Sequence, residues 1–128
     1  MSDSQHTIAV TSMMMQKWVA AIKSGNQEQV ASLYHVDGIL LGTFSNKERV
    51  GYDLILEYFE NLLKSPVDVE IISEHPGDLG SEAVMNSGHY NFITGGKTIN
   101  ARFTFVYRRK SDEWKIASHH SSVLPENS

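Results

Sequence analysis

The chain has 128 residues, of which 41% are hydrophobic and 20% are charged, values that are ordinary for a single soluble globular domain. Its net charge of −4, from 15 acidic and 11 basic residues, disfavours nucleic acid as a partner, because phosphate binding needs a concentrated positive field. The absence of cysteine excludes disulfides and cysteine–zinc sites. The sequence shows no basic leader and no long apolar run, and it therefore predicts a cytoplasmic protein without a membrane segment.

The first half of the chain is predicted to be mainly helical. Apolar residues at helical spacing predict a first helix over residues 3–24, and Gly25 is a natural residue to end it. Asn26, with Gln29 three positions later, resembles a capping box and predicts a short second helix. The apolar run DGILLGTF then predicts a strand over residues 37–44.

A polar loop and a third helix follow this strand. The stretch SNKERVG is predicted to be a loop, and the helix is predicted over residues 52–64, where Pro66 stops it. Its inner stripe consists of Ile55, Tyr58, Phe59 and Leu62. Adjacent aromatic residues such as Tyr58 and Phe59 can divide their roles, one packing in the core and the other lining a cavity.

After Pro66 the hydrophobic period changes from helical to alternating. We predict strands over residues 67–74, 82–94, 98–109 and 114–122, with turns at HPGDLG, GGK and KSDE. Gly88 lies inside the second of these strands, where it is a candidate for a bulge. Helices grouped ahead of strands predict one α+β domain over residues 1–128, with three helices on one face of a curved antiparallel sheet and a pocket between them.

The chain resembles the nuclear-transport-factor-2-like superfamily in this order of elements and in the stretches DGILLG, RVGYDLILEYFENLL, ARFTFVYRRKSDEWKI and HHSSVLP. Within that superfamily it is most similar to the association (hub) domain of calcium/calmodulin-dependent protein kinase II and its free-standing bacterial relatives, and more distantly to SnoaL-like and SgcJ/EcaC-type proteins. The likeness covers about residues 15–125. It implies a cone-shaped fold that dimerises through its sheet and sometimes forms rings.

The resemblance to the hub does not extend to its arginine-lined pocket. The hub's pocket arginines align with Phe105, with Ser121 and with a position near Ser87, none of which is basic here. Arg102 lies three residues before Phe105, which on a regular strand places it on the opposite face. We therefore expect Arg102 to serve an interface or a different pocket.

His119 and His120 are neighbours on the last predicted strand, so their side chains should point to opposite faces. Alternation groups His119 with Ala117 and Ser121, and our alignment to the family places this group inside. Both histidines are also compatible with a structural role. No spacing typical of metal-binding histidines is present, so we expect neither a metal nor another cofactor.

Two classes of function remain open. The first is a non-catalytic domain for oligomerisation, as a homodimer or a larger ring, or for binding a small molecule. The second is a SnoaL-like isomerase, cyclase or hydrolase that acts on a small, largely apolar substrate with a pocket histidine or aspartate as general base, for which the candidates are His119 and Asp37. The predicted pocket lining is Tyr58, Phe59, Tyr90, Arg102, Phe105, His119 and Ser121.

Overall fold

A computed structural model describes residues 2–126, with three helices and six strands. The helices are α1 (Ser2–Ser24), α2 (Gln27–Ala31) and α3 (Tyr52–Leu62). The strands are β1 (Tyr34–Leu41), β2 (Glu48–Val50), β3 (Val67–Asp78), β4 (Ala83–Thr94), β5 (Lys97–Lys110) and β6 (Glu113–Val123). The predicted α+β class and the helices-first order are confirmed.

The local signals around the helices act as the sequence predicts. Gly25 follows α1 with a φ of 75°, a left-handed conformation that glycine adopts without a steric penalty. Asn26 caps α2, because its side-chain oxygen accepts a hydrogen bond from the backbone N–H of Gln29. The end of α3 at Leu62 lies two residues before the predicted one.

Three predicted boundaries are wrong, each because tertiary pairing overrides a local signal. β1 begins at Tyr34, three residues before the predicted strand. Residues 48–50, predicted as loop, form the short edge strand β2, which pairs with β1. β3 continues to Asp78 through the predicted HPGDLG turn, since β4 pairs with it along this whole length.

The six strands form one sheet in the order β2-β1-β6-β5-β4-β3. β3 to β6 make the predicted antiparallel meander, but β1 runs parallel to β6, so the sheet is mixed and not purely antiparallel. The helices pack against one face, called the inner face here, and bury a core that includes Trp18, Ile22, Ile55, Phe59 and Phe105. Within residues 2–126, the opposite face, called the outer face here, carries no helix.

Irregular pairing moves several residues from the face that strict alternation assigns to them. In β6, Ala117 is an extra residue in the pairing with β5, so Ile116 joins His119 and Ser121 on the inner face in place of Ala117. The bulge expected at Gly88 lies instead on the facing strand, where Ile72 is the extra residue of β3. Gly88 is needed for close approach, because a Cβ there would overlap the backbone carbonyl of Ser73.

Candidate functional site

His119 lies on the inner face of β6, fully within the core. The hydroxyl of Tyr34 is 2.8 Å from its Nδ1 atom, and the hydroxyl of Tyr90 is 3.1 Å from its Nε2 atom. The ring of Phe105 stacks on the imidazole with a centroid distance of 3.9 Å, and Trp18 meets it edge-on. The closest polar partners of His119 therefore come from β1 and β4.

These contacts are part of a continuous buried chain of hydrogen bonds. Trp18 donates its indole N–H to the hydroxyl of Tyr34 over 3.2 Å, and Tyr90 donates to the hydroxyl of Ser121 over 2.5 Å. Ser121 in turn contacts the hydroxyl of Thr43. Each hydroxyl that donates one hydrogen bond can accept another, so the chain has a consistent direction from one end to the other.

The direction of this chain of hydrogen bonds determines the tautomer of His119. Because the Tyr90 proton goes to Ser121, Tyr90 must accept a hydrogen bond from Nε2–H of His119. Nδ1 then carries a lone pair and accepts the proton of Tyr34, whose oxygen accepts from Trp18. Every donor and acceptor along this path has a partner, and the imidazole is neutral.

The electrostatics agree with a chain of neutral groups. Burial, together with a smaller effect of the neighbouring His120, lowers the pKa of His119 to about 3. Burial also raises the pKa of Tyr34 and of Tyr90 far above the ordinary value for tyrosine. At neutral pH, none of the three side chains carries a charge.

The structure brings Tyr90, Phe105, His119 and Ser121 together, but as a packed core cluster and not as the lining of an open pocket. We expected the imidazole to lie near Tyr58 or Phe59. Its ring contacts are instead with Trp18, Tyr34, Tyr90 and Phe105, because α1 and β1 cover this part of the sheet. Both ring nitrogens are occupied, so neither can accept a proton from a substrate without breaking the chain.

Asp37 and Arg102 do not join this cluster. Asp37 is exposed in an irregular part of β1, where residues 35–38 face a single residue of β6 and the backbone turns outward. Arg102 is exposed on the outer face, next to His89 and Ser122 on the neighbouring strands. Neither can act together with His119.

A cleft of about 370 Å³ opens between α3, β2 and the end of β4, lined in part by Arg49, Tyr58, Asn61 and Thr94. Arg49 is only 5% exposed. Its guanidinium donates to Glu57 over 2.5 Å and to the carbonyl oxygen of Leu54 over 3.1 Å. The hydrogen bond from Arg49 lowers the pKa of Glu57, and burial raises the pKa of Tyr58 to about 12.

The outer face carries two kinds of cross-strand row. One row is largely apolar and runs across all six strands through Gly77, Met85, Val106, Ser118, Ile39 and Val50. On one side of it, the next two rows are polar across β3 to β6, and they line a basin of about 500 Å³ formed by Ser73, His75, Ser87, Gly88, His89, Arg102, Phe103, Thr104, His120 and Ser122. We call this the outer basin.

Sequence reasoning missed Tyr34, Thr43 and Arg49 as parts of these sites. Tyr34 is the first residue of β1 and lies three residues before the start of the predicted strand. A usable signal for Arg49 was the alternation Glu48-Arg49-Val50 just before a glycine, which is compatible with a short strand that has one buried position. No local signal links Tyr34 to His119, because they are 85 residues apart.

Two other features concern metals and membranes. Among the side chains that the structure describes, those of residues 4–126, no three histidine, aspartate or glutamate side chains come close enough to form a metal site. No helix in that range is long and apolar enough to cross a membrane.

Comparisons with known proteins support the fold and identify the family. The profile for the "Calcium/calmodulin dependent protein kinase II association domain" matches residues 8–125. No curated protein matches the chain. A solved structure from Xanthomonas campestris that carries the name of the same association domain is 36% identical, covers 91% of this chain and 86% of its own, and superposes with a TM-score of 0.86.

More distant structures share the fold. An NTF2-like protein of unknown function from Pseudomonas putida KT2440 is 13% identical, with a TM-score of 0.81 and coverage of 94% of this chain and 88% of its own. A ketosteroid isomerase-like protein from Erwinia carotovora atroseptica SCRI1043 is 16% identical, with a TM-score of 0.75 and coverage of 91% and 95%. The expected NTF2-like fold is therefore confirmed.

Proposed function

The chain belongs to the calcium/calmodulin dependent protein kinase II association domain family, and from this premise we propose that it is a non-catalytic domain that self-associates through the outer face of its sheet. The observation that carries the proposal is the apolar row on that face. Ile39 is 41% exposed and Val50 is 55% exposed, and Met85 and Val106 continue the row as half-exposed side chains.

An antiparallel or mixed sheet can leave one face in water, but that face is then usually polar. Here apolar side chains line up across the strands. A second sheet packed on them would remove their apolar surface from water, which is favourable. Two copies related by a two-fold axis can present the same row to each other, which is the commonest arrangement of soluble homodimers. Larger rings would require a further contact.

The interior argues against the alternative function as an isomerase, cyclase or hydrolase. A general base needs a free lone pair and access to substrate. The two nitrogens of His119 are engaged by Tyr34 and Tyr90, and the side chain is 2% exposed. Asp37 is exposed and does not lie in an enclosed pocket that could hold a substrate against it.

The proposal is tested by placing a charge in the apolar row. Val106→Lys should shift the protein from dimer to monomer in light scattering coupled to size-exclusion chromatography, because a lysine there would be buried against the second copy. Ile8→Lys, on the exposed side of α1, adds the same charge elsewhere and should leave the dimer intact. A wild-type chain that is monomeric at micromolar concentration would refute the proposal.

The cleft beside Arg49 favours a second function, the binding of a small molecule. A guanidinium that is held in place by Glu57 and Leu54, with the Tyr58 ring nearby, is a preorganised donor at the edge of an open cleft. Small carboxylic acids should raise the melting temperature of the wild type but not of Arg49→Met. Arg108→Met, which removes an exposed arginine outside the cleft, should respond like the wild type.

A further inference from the structure

The outer basin is chemically different from the rest of this acidic chain. Its ten lining residues contribute one guanidinium, three imidazoles and four hydroxyl groups, and none of them is an aspartate or a glutamate. The chain as a whole has a net charge of −4. The local excess of hydrogen-bond donors therefore cannot be explained by composition, and it is typical of a surface that binds an anion.

The strand register makes the donors converge. His89 on β4 and Ser122 on β6 are the direct partners of Arg102 on β5. Directly opposite residues on one face of a sheet have Cβ atoms about 5 Å apart. His120 is opposite Thr104, two residues along β5 from Arg102, and this diagonal position is within reach of long side chains. One small ligand could contact all of these side chains.

Arg102 has no ion pair or side-chain hydrogen bond within the part of the chain that the structure describes. The carboxylates on the same face lie outside the basin. Glu70 accepts a hydrogen bond from the Asn91 side chain over 3.0 Å, Asp68 pairs with Lys23 at 3.4 Å, and Glu48 is on the edge strand β2. None of them lines the basin with the guanidinium.

Self-association through this face would make the burial of the unpaired Arg102 energetically unfavourable. The basin begins at Thr104, in the row next to the apolar row, and Arg102 lies one row farther along β5, so a second sheet that packs over the apolar row and extends two rows beyond it covers Arg102. An arginine without a counter-charge is costly to remove from water, and the opposite copy would present the same cationic basin. A bound anion between the copies would resolve both the desolvation and the repulsion.

We propose that the outer basin binds a small inorganic oxyanion, phosphate or sulfate, between two copies of the chain, with Arg102 as its main contact and His89 and His120 beside it. This inference rests on the proposed self-association. The planar guanidinium of Arg102 suits two parallel hydrogen bonds to one oxyanion, and the hydroxyl of Ser122 is a further donor.

The side chains around the Arg102 guanidinium are mostly hydrogen-bond donors. Within the described residues, the charged or imidazole groups near it are His75 and Glu70 on β3, His89 on β4, His120 on β6 and, farther along β5, Arg108. An imidazole N–H can donate a hydrogen bond to an oxyanion. Sulfate is a suitable probe, because its own charge is constant near neutral pH.

The test is sedimentation equilibrium of the whole chain with and without millimolar sulfate, at constant ionic strength and at pH 7. Sulfate should strengthen the wild-type dimer about tenfold, which corresponds to about 1.4 kcal/mol. Arg102→Gln should lose this response. Arg108→Gln, on the same strand and face but outside the basin, should keep it.

Each other outcome overturns the proposal. A wild-type dimer that does not respond to sulfate would refute the oxyanion site and leave self-association standing. If Arg102→Gln weakens the dimer equally with and without sulfate, the arginine pairs with the second copy itself. If Arg102→Gln responds like the wild type, sulfate acts generally by promoting burial. A chain that is monomeric under all conditions would refute both proposals.

Discussion

The buried His119 should make the fold sensitive to acid. Its pKa is about 3 in the folded chain, whereas a histidine in an unfolded chain has a pKa near 6.5. Between these values the unfolded state binds a proton that the folded state does not. The contribution of the neutral imidazole to stability is therefore fully present above about pH 6.5, and it declines as the pH falls towards about 3.

The magnitude follows from the two pKa values. At pH 5 the unfolded histidine is mostly protonated and the folded one is not, which lowers the free energy of unfolding by about 2 kcal/mol relative to pH 7. Substitution by glutamine removes the titrating group and retains a polar side chain within the hydrogen-bond chain. His119→Gln should thus have a lower stability at pH 7 but a smaller loss of stability between pH 7 and pH 5.

Urea denaturation at fixed protein concentration measures this difference, since assembly makes stability concentration-dependent. The loss from pH 7 to pH 5 should be about 2 kcal/mol smaller in His119→Gln than in the wild type. His6→Gln removes an exposed imidazole on α1 and should follow the wild-type curve. Parallel pH curves for His119→Gln and the wild type would refute the assignment of His119 as a buried neutral group.

Two further substitutions test the packing around the sheet. Gly88→Ala should destabilise the fold by about 3 kcal/mol or more, because its Cβ would overlap a backbone carbonyl. Gly77→Ala would meet only a flexible methionine side chain and should cost less than about 1 kcal/mol. Similar melting temperatures for the two variants would contradict this. Tyr34→Phe should lower the free energy of unfolding by about 1–3 kcal/mol, because it leaves the indole N–H of Trp18 and Nδ1 of His119 without a partner. Tyr52→Phe serves as its control in the same urea denaturation assay. An equal effect of both tyrosine substitutions would show that the buried chain of hydrogen bonds makes no specific contribution to stability.

Much of the fold could be predicted from local patterns. The end of α1 at Gly25 and the cap of α2 at Asn26 depend on residues that adopt or stabilise particular backbone conformations. The glycine pair 95–96 forms the turn between β4 and β5, and both of its residues have positive φ. Such signals act over a few residues and are visible in the sequence.

The site could be predicted only in part, because long-range pairing determines it. The extra residue Ala117 shifts the alternation of β6, so that Ile116 is buried together with His119. The partner of His119 on β1, Tyr34, is adjacent only because β1 runs parallel to β6 across the sheet. For Arg102, the strand period correctly separates its face from that of Phe105, but it cannot show which residues of the neighbouring strands surround it.

The central claim is that two copies associate through the outer face of the sheet. It is tested most directly by the distance between the same position in the two copies. The chain has no cysteine, so Arg108→Cys, which is on the outer face but outside the apolar row, and Lys17→Cys on α1 can each carry a single spin label. Sheets packed face to face lie about 10 Å apart, and helices add another layer of similar thickness on each far side. Association through the outer face predicts labels at position 108 that are closer together than labels at position 17 by about 10 Å or more. If the labels at position 17 are the closer pair, the two copies touch through their helices, and association through the outer face is refuted.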